Sequence, residues 1–327
     1  MAPRRIVSAP RRMVMAAALG LPWLASGARA QPALAAATSP APGFYRFRLG
    51  GFTVTTIFDG FRIMPVQGLV RNAPLEEVQA VLAESFLSPT DYRNIYAVTI
   101  VDTGRALVVF DTGNGPQAPG ATLGRLLATM PAAGLDPARV TTIVISHFHG
   151  DHINGLILAD GSAAFPHAEV VVPANEWAWF TEPGNLTRSP EGQRGNFANT
   201  TRRFAPYAGK IRQLTDGQEA VPGIRMQAAE GHSPGHSIWH IADGGAELFY
   251  LADTTHRPEL IARRPDFITG FDFDGAAGAA TRRRVLDRMA ADRVRVTGFH
   301  FPFPATGFIA REGQSFRYVP ADWASAG

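Results

Sequence analysis

The chain has 327 residues, of which 46% are hydrophobic, and a formal net charge of +3. This length is ample for one large domain with its own core and too short for three domains. Because the sequence contains no cysteine, disulfide bonds and thiolate metal ligands are excluded.

Residues 1–30 have the composition of a secretory signal peptide. Four arginines and no acidic residue precede the apolar stretch from Met13 to Leu24, and Ala28-Arg29-Ala30 fits a small-x-small cleavage site. The apolar stretch has about twelve residues, well short of the roughly 20 that a membrane-spanning helix needs. We therefore predict a cleaved signal and a periplasmic or secreted protein without a membrane anchor. The pair Arg11-Arg12 is compatible with twin-arginine export as well as with general secretion.

Signal cleavage changes the charge of the protein. Residues 1–30 contain five arginines and no acid, so their removal changes the formal net charge from +3 to −2. The basic run Arg282-Arg283-Arg284 falls in a predicted helix and is interpreted as its solvated face. We therefore expect no nucleic-acid partner. Residues 31–42 are rich in proline, alanine and serine and are predicted to form a flexible linker, which leaves residues 43–327 as the folded domain.

Strand and helix patterns alternate along that domain. Alternating or β-branched apolar residues predict strands, whereas apolar residues at helical spacing predict helices. Their alternation favours two mixed β-sheets packed face to face with helices outside, which is an αββα sandwich of the α/β (α+β) class. The predicted strands cover residues 44–49, 52–58, 95–101, 106–110, 140–145, 168–172, 248–251 and 294–299, with a final hairpin over 307–319; a loop is predicted over 63–70, and helices over 75–86, 122–130 and 281–289.

The strand predicted over residues 140–145 ends in a cluster of potential metal ligands. His147, His149, Asp151 and His152 lie within six residues. Imidazole and carboxylate groups are ligands that zinc and similar divalent metals take, but a tight loop can hardly direct all four at one ion. The cluster therefore predicts the first half of a site for two neighbouring ions.

Two ions require further ligands, and later segments of the chain supply them. His232 lies in the turn-rich segment GHSPGH, while Asp253 and His300 each follow an apolar strand. Each of these segments repeats the arrangement of a strand followed by a metal-binding side chain. The sequence therefore contains a set of candidate ligands large enough for two ions.

The segments HFHGDH, GHSPGH, LAD and GFH resemble those of the metallo-β-lactamase-fold hydrolases. The resemblance covers residues 44–320 and is closest to the methyl parathion hydrolase and lactonase branch, in segments such as FYRFRLGGFTVTTIFDG, LVVFDTG and IAREGQSFRYVP. It implies the αββα fold of that family and a catalytic centre with two divalent ions. By this resemblance His147, His149 and His232 hold one ion, Asp151, His152 and His300 hold the other, and Asp253 bridges them, so that Asp151 and Asp253 are also catalytic.

Several polar residues near these motifs receive structural assignments. Asp111, in an Asp-Thr-Gly turn, either orients a metal ligand from beneath the metals or caps its own turn. His236 is expected to form hydrogen bonds inside the GHSPGH turn and so to support the ligands. Asp272 and Asp274 are expected to cap the following helix. The remaining histidines, which are His167, His240 and His256, are expected at the surface or as satisfied core residues.

The aromatic segment from Pro173 to Lys210 is interpreted either as a lid or pocket wall or as a cap on the outer core. The resemblance implies that Trp179 and Phe197 line the substrate pocket. Residues 114–120, NGPQAPG, contain no aromatic residue where relatives in that branch offer another wall residue. This departure weakens the case for aryl phosphotriesters and favours lactones.

The predicted reaction is metal-assisted hydrolysis of a small molecule. Two cations lower the pKa of a shared water and polarise the scissile bond, and neither a G-x-S-x-G motif nor a cysteine supports a covalent nucleophile. The resemblance implies a hydrolase of lactones, esters or organophosphate triesters. The alternative is a quorum-quenching-type lactonase without phosphotriesterase activity; a β-lactamase, a thioesterase and a non-hydrolytic iron oxidoreductase are further alternatives.

The expected cofactors are two divalent metal ions per chain, with zinc favoured, although manganese, cobalt and iron suit the same donors. The expected partner is the small-molecule substrate. The oligomeric state is left open, with a homodimer as one possibility.

Overall fold

The computed structural model describes residues 43–323 of the chain. The predicted signal peptide and linker, residues 1–42, lie outside the described residues and stay predictions. The described part forms two seven-stranded β-sheets and eight α-helices. This architecture confirms the predicted αββα sandwich.

The first sheet is built from the amino-terminal half of the domain, and each strand pairs with its neighbour in the sequence. Strands β4 to β7 run parallel, whereas β1 to β4 are antiparallel. The central strands are rich in valine and isoleucine and are buried on both faces, as is usual for parallel strands. The strands are β1 (Phe44–Leu49), β2 (Phe52–Pro65), β3 (Asp91–Asp102), β4 (Leu107–Phe110), β5 (Thr142–Val144), β6 (Glu169–Pro173) and β7 (Ile211–Leu214).

The second sheet is built from the carboxy-terminal half and again follows the order of the sequence. Only β11 and β12 are parallel among its described strand pairs. The strands are β8 (Glu219–Val221), β9 (Ile224–Ala228), β10 (Ser237–Asp243), β11 (Ala246–Tyr250), β12 (Arg295–Thr297), β13 (Thr306–Glu312) and β14 (Ser315–Pro320).

Eight helices connect the strands within residues 43–323. The longest, α8, begins after Asp274, whose side chain accepts a hydrogen bond from the backbone N–H of Ala277, so the predicted cap is confirmed for this residue. Among the described helices, none combines the length and apolar character needed to cross a bilayer. The helices are α1 (Leu75–Glu84), α2 (Leu126–Thr129), α3 (Gly150–Ile153), α4 (Ala174–Thr181), α5 (Asn185–Arg188), α6 (Gly195–Phe204), α7 (Pro258–Ile261) and α8 (Gly275–Asp292).

The two sheets share one hydrophobic core. Val98 and Ile143 from the first sheet belong to the same buried cluster as Trp239 and Leu248 from the second. A hydrogen bond of 3.2 Å between the hydroxyl groups of Thr99 and Thr297 also joins the sheets. The packing therefore fixes the ends of strands from both halves relative to one another.

Strand β2 differs from the sequence prediction. It continues through Pro65, where a loop was predicted to begin at residue 63, because residues 61–65 pair with residues 91–95 of β3 beyond a register shift between Phe58 and Gly60. This two-stranded extension, residues 61–65 and 91–95, is called the arm below. Helix α1 lies in the connection between its two strands.

The helix predicted over residues 122–130 is reduced to α2. Gly124 has a φ of +78°, which interrupts a right-handed helix, and the backbone N–H of Leu126 donates to the buried carboxylate of Asp59 at 2.8 Å. The aromatic segment from Pro173 to Lys210 forms the short helices α4, α5 and α6 before strand β7.

Candidate metal centre

The seven predicted metal ligands converge in the structure. His147 and His149 follow β5, and Asp151 and His152 lie in the first turn of α3. The other three follow strands of the second sheet: His232 lies between β9 and β10, Asp253 follows β11, and His300 follows β12. Both halves of the chain therefore contribute to one cluster.

Three imidazoles form the first group. His147 Nε2 lies 3.0 Å from His149 Nδ1, which lies 2.9 Å from His232 Nε2. A tetrahedral zinc ion with bonds of about 2.0–2.1 Å to nitrogen places its ligand atoms about 3.3 Å apart. The spacing of these three nitrogens therefore fits one ion.

Asp151, His152 and His300 form the second group. Asp151 Oδ2 lies 3.8 Å from His152 Nε2 and 3.5 Å from His300 Nε2. The chemistry of the set, two imidazoles and a carboxylate, suits a second divalent cation.

Asp253 lies between the two groups. Its Oδ2 atom is 3.3 Å from His232 Nε2 and 3.2 Å from His300 Nε2, so one carboxylate faces a member of each group. Its Oδ1 atom is 3.2 Å from His152 Nε2, yet both of these buried atoms lack a hydrogen bond within the described residues. Unsatisfied buried polar atoms are costly, and a cation between them would satisfy both. The cluster thus fits two metal ions.

The ring nitrogens that face away from the cluster are held by acceptors. His152 Nδ1 lies 2.7 Å from Asp111 Oδ2, and His300 Nδ1 lies 2.7 Å from the carbonyl oxygen of Ile95. Because these oxygens only accept, each Nδ1 carries a proton, and each Nε2 is the nitrogen that faces the cluster. Asp111 therefore orients a predicted ligand, which was one of its two interpretations.

His147 and His149 are oriented in a similar way. His147 Nδ1 is 3.0 Å from the hydroxyl oxygen of Ser146, which itself donates to Asp111 at 2.7 Å. His149 has the opposite tautomer, because its Nε2 donates to Gln193 Oε1 at 2.9 Å and its Nδ1 faces the cluster. Burial, together with neighbouring histidines, lowers the pKa of His147 well below its ordinary value and that of His149 to about 3. Both rings are therefore neutral, which is the form that binds metals.

His236 holds the backbone of Asp253 in place. Its Nδ1 donates to the carbonyl oxygen of Ala229 at 2.9 Å, and its Nε2 accepts from the backbone N–H of Asp253 at 3.1 Å. Burial and the nearby His232 lower the pKa of His236 to about 3. A neutral His236 thus holds the Asp253 backbone without binding a metal itself.

Asp272 and Arg282 have roles that differ from those predicted. Asp272 was expected to cap a helix, but its Oδ1 atom accepts from His232 Nδ1 at 3.0 Å and so orients a predicted ligand. Burial lowers the pKa of His232, but the carboxylates of Asp253 and Asp272 outweigh it and raise the value to about 9. Arg282, expected on a solvated face, is 1% exposed, so that prediction is wrong. Its Nε atom donates to the carbonyl oxygen of Thr254, the residue after Asp253, at 2.9 Å.

His256 was also misassigned. It is 2% exposed, and its Nε2 atom lies 3.2 Å from Asp253 Oδ2, so it belongs to the metal centre. No sequence motif marks it, because Thr255 is extended and the contact with Asp253 arises from the path of the loop and not from a helical turn. His240, by contrast, pairs with Glu247 at 3.0 Å near the surface, as expected for a histidine outside the site.

Glu176 of α4 connects the two ligand loops and was missed entirely. Its Oε1 atom accepts from the backbone N–H of Phe148 at 2.9 Å, between two predicted ligands. Its Oε2 atom accepts from the hydroxyl of Ser233 at 2.8 Å and from the backbone N–H of Gly235 at 2.7 Å. Burial raises the pKa of Glu176 to about 7, and these three donors oppose that shift.

A cavity of about 370 Å³ opens onto the cluster. The described residues that line it do not include Trp179 or Phe197, so their role as an aromatic wall stays a prediction. Phe197 packs against Phe180 in the core, and Trp179 packs edge-on against Phe273. The same segment contributes polar groups instead. The lining residues beyond the cluster itself are Arg62, Met64, Asn94, Tyr96, Asn114, Gly150, Asn154, Gly192, Gln193, Asn196 and Phe271.

Comparison with known proteins shows the family of the chain. Residues 90–297 match the family model of the metallo-beta-lactamase superfamily, and the chain belongs to that superfamily. Membership supports the predicted class, a metal-dependent hydrolase. The assignment to a particular branch of the superfamily stays a prediction.

Two solved structures are similar over most of the chain. AidC, described as a dizinc quorum-quenching lactonase, is 24% identical with a TM-score of 0.80 and covers 86% of this chain and 99% of its own. AbOPH, described as a hydrolase in the beta lactamase superfamily, is 24% identical with a TM-score of 0.81. The match covers 88% of this chain and 100% of AbOPH. At this identity the likeness shows a shared fold.

A curated relative matches over a short region. Ribonuclease Z of Pyrococcus furiosus is 40% identical over 70 residues, which are 21% of this chain and 19% of the relative. The chain thus spans about a fifth of the length of that relative, and the match carries no statement about activity.

Proposed function

We propose that the protein is a hydrolase with two divalent metal ions that cleaves lactones and other carboxylic esters. The observation that carries this proposal is the position of Asp253. One of its oxygens lies 3.3 Å from His232 and 3.2 Å from His300, which belong to different ligand groups. A single carboxylate shared by two groups of ligands is the arrangement of a dinuclear site.

Each ion has its own set of protein ligands in this proposal, and zinc is the proposed metal. Histidine and carboxylate ligands suit zinc, and AidC, which shares the fold, is described as a dizinc enzyme. When bound, two such ions supply a hydroxide from a shared water and polarise the scissile carbonyl. The first ion would be held by His147, His149 and His232, the second by Asp151, His152 and His300, and both by Asp253.

The surrounding side chains keep the ligands in place before substrate arrives. Asp111 and Asp272 hold the Nδ1 protons of His152 and His232, so these rings do not have to reorient. The hydroxyl of Tyr96 stays protonated, because burial and the charge of Asp151 raise its pKa well above the ordinary value. Since Tyr96 lines the cavity, it can donate a hydrogen bond to a substrate oxygen.

The lining of the cavity supports a preference for lactones over aryl phosphotriesters in this proposal. Neutral aromatic substrates require apolar wall area, to which Met64, Tyr96 and Phe271 contribute but Trp179 and Phe197 do not. Amide side chains such as those of Asn94, Gln193 and Asn196 line the cavity and suit a small polar ring. We therefore propose lactones as the preferred substrates, with little phosphotriesterase activity.

The test is an assay of purified protein whose metal content has been quantified. Its substrate panel contains acyl-homoserine lactones, simple lactones, aryl esters, methyl parathion and nitrocefin. We expect lactones to give the highest kcat/KM and activity to require two ions per chain. Faster hydrolysis of methyl parathion or nitrocefin would contradict the lactone preference, and activity independent of metal would contradict the whole proposal.

Export is a separate proposal that rests on residues 1–30. We propose that the mature enzyme acts in the periplasm or outside the cell. Its partner in this proposal is the small-molecule substrate, without nucleic acid.

A further inference from the structure

The arm at the mouth of the cavity carries a continuous polar strip. Arg62 on β2 lies directly opposite Asn94 on β3, and both residues line the cavity. Tyr96 follows Asn94 by two residues and therefore faces the same side of the strand. The ring of Tyr96 lies 5.4 Å from that of His300. The strip thus leads from a metal ligand to the rim, where Arg62 is its outermost member.

The guanidinium group of Arg62 is free to bind a ligand. It is exposed and forms neither a hydrogen bond nor an ion pair with any residue in the described range 43–323. Arg93, which also belongs to the arm, instead lies over the ring of Phe61 at 4.4 Å. Burial and Asp151 raise the pKa of Tyr96 while the charge of Arg62 lowers it, so the guanidinium is within electrostatic reach of the cavity wall.

No protein carboxylate competes for this cation inside the cavity. Among the described lining residues only Asp151 and Asp253 are acidic, and both belong to the metal centre. Asn94 is 7% exposed and its Oδ1 atom has no hydrogen-bond partner, although Nδ2 contacts the Tyr96 hydroxyl at 3.2 Å.

We propose that Arg62 is a specificity-determining residue that binds a carboxylate of the substrate, on the side remote from the scissile ester. Arginine binds carboxylates through two parallel hydrogen bonds, and an amide N–H of Asn94 can add a third. A cavity of about 370 Å³ holds only a small molecule. The preferred substrate is therefore a small lactone or ester that carries its own negative charge. This inference rests on the proposed function, because it names the substrate class of the same site.

The test compares two substrates that differ only in charge. A γ-butyrolactone with a ring carboxylate is paired with the same ring bearing a carboxamide, and both are assayed with the metal-loaded enzyme. We expect the carboxylate to be preferred about tenfold in kcat/KM, since a hydrogen bond to a charged group contributes that order of binding. Arg62→Gln should remove this preference, chiefly by raising the KM of the carboxylate substrate. Arg93→Gln, on the same arm, is the matched control and should keep the preference.

Two outcomes would overturn the inference: no preference in the wild type, or an equal preference in Arg62→Gln.

Binding of glutarate, a dicarboxylate that cannot be hydrolysed, to the metal-loaded protein is measured by calorimetry as a second test. It separates this inference from the proposed function, because it needs no turnover. Weaker glutarate binding, by about tenfold, in Arg62→Gln but not in Arg93→Gln would support the carboxylate site even if neither lactone were cleaved. Equal binding in all three proteins would refute it.

Discussion

Arg282 and Asp272 form a buried ion pair, with 3.3 Å between Nη2 and Oδ2 and side chains that are 1% and 0% exposed. Asp272 uses its other oxygen to hold His232. Arg282 also donates to the carbonyl oxygen of Thr254, the residue after Asp253. Arg282, on α8, is therefore linked to the loop of His232 through Asp272 and to the loop of Asp253 through Thr254.

Replacing Arg282 should damage both stability and metal binding. Arg282→Met removes the cation but keeps most of the volume, which leaves the Asp272 carboxylate buried without its partner. Breaking a buried pair in this way costs about 3–5 kcal/mol. Denaturant unfolding and metal affinity measured with a competing chelator check the prediction. Arg283→Met is the matched control, because its pair with Asp266 is exposed and should matter little.

Glu176→Gln tests the link between the two ligand loops. The carboxylate accepts hydrogen bonds from Phe148, Ser233 and Gly235, and an amide cannot accept all three. A buried donor left unsatisfied costs about 1–3 kcal/mol. We expect the free energy of unfolding, measured with denaturant, to fall by that amount. We also expect the variant to release its metal to a chelator faster than the wild type does. Glu182→Gln, on an exposed turn, should change neither quantity, and equal behaviour of the two variants would refute a role for Glu176.

Metal removal should destabilise the fold, because the facing ligands then remain in a buried site without a cation. Ions that bind only the folded state raise its apparent stability by mass action. We expect a lower unfolding temperature after dialysis against a chelator and recovery on adding zinc.

Elemental analysis should give two ions per wild-type chain. Asp253→Ala should lose at least one ion and most activity, and fully active protein with one ion or none would refute the dinuclear site.

The ligand cluster was predictable from sequence because its residues lie in short motifs at strand ends. His147, His149 and His232 are therefore recognisable from local sequence alone. Asp272 and Arg282 are not, because their roles depend on the packing of α8 against the ligand loops and neither lies in a motif. The local sequence of the run Arg282-Arg283-Arg284 does not indicate which of the three arginines is buried. The fold class followed from the alternation of elements, whereas the arm depended on long-range pairing.

Trp179 and Phe197 provide a test of the revised pocket. Phe197 is 9% exposed and packs against Phe180, so Phe197→Ala should cost about 3–5 kcal/mol in unfolding free energy. Trp179 is half-buried, and its Nε1 atom donates to the Ser189 hydroxyl at 3.2 Å, so Trp179→Ala should cost less. Both variants should keep the KM and the substrate range of the wild type. A raised KM at unchanged stability would restore the predicted aromatic wall.

The export signal leads to a prediction about the mature chain. Cleavage after Ala30 would leave Gln31 as the first residue. Amino-terminal sequencing of exported protein should therefore begin at or near Gln31. A mature protein that retained Met13 to Leu24 would instead indicate an anchor.

The division of ligands between the two sheets has a consequence for the kinetics of unfolding. His149 and His232 are 83 residues apart in the sequence, and their ring nitrogens lie 2.9 Å from one another. An ion that stayed bound to both while the sheets separated would close a loop of that length, as a covalent cross-link does. In the chain-entropy model, closing such a loop lowers the entropy of the unfolded chain and stabilises the folded state by about 4.5 kcal/mol. The lifetime of the loaded protein would then be set by the rate at which the ion leaves, and trace chelators would shorten it.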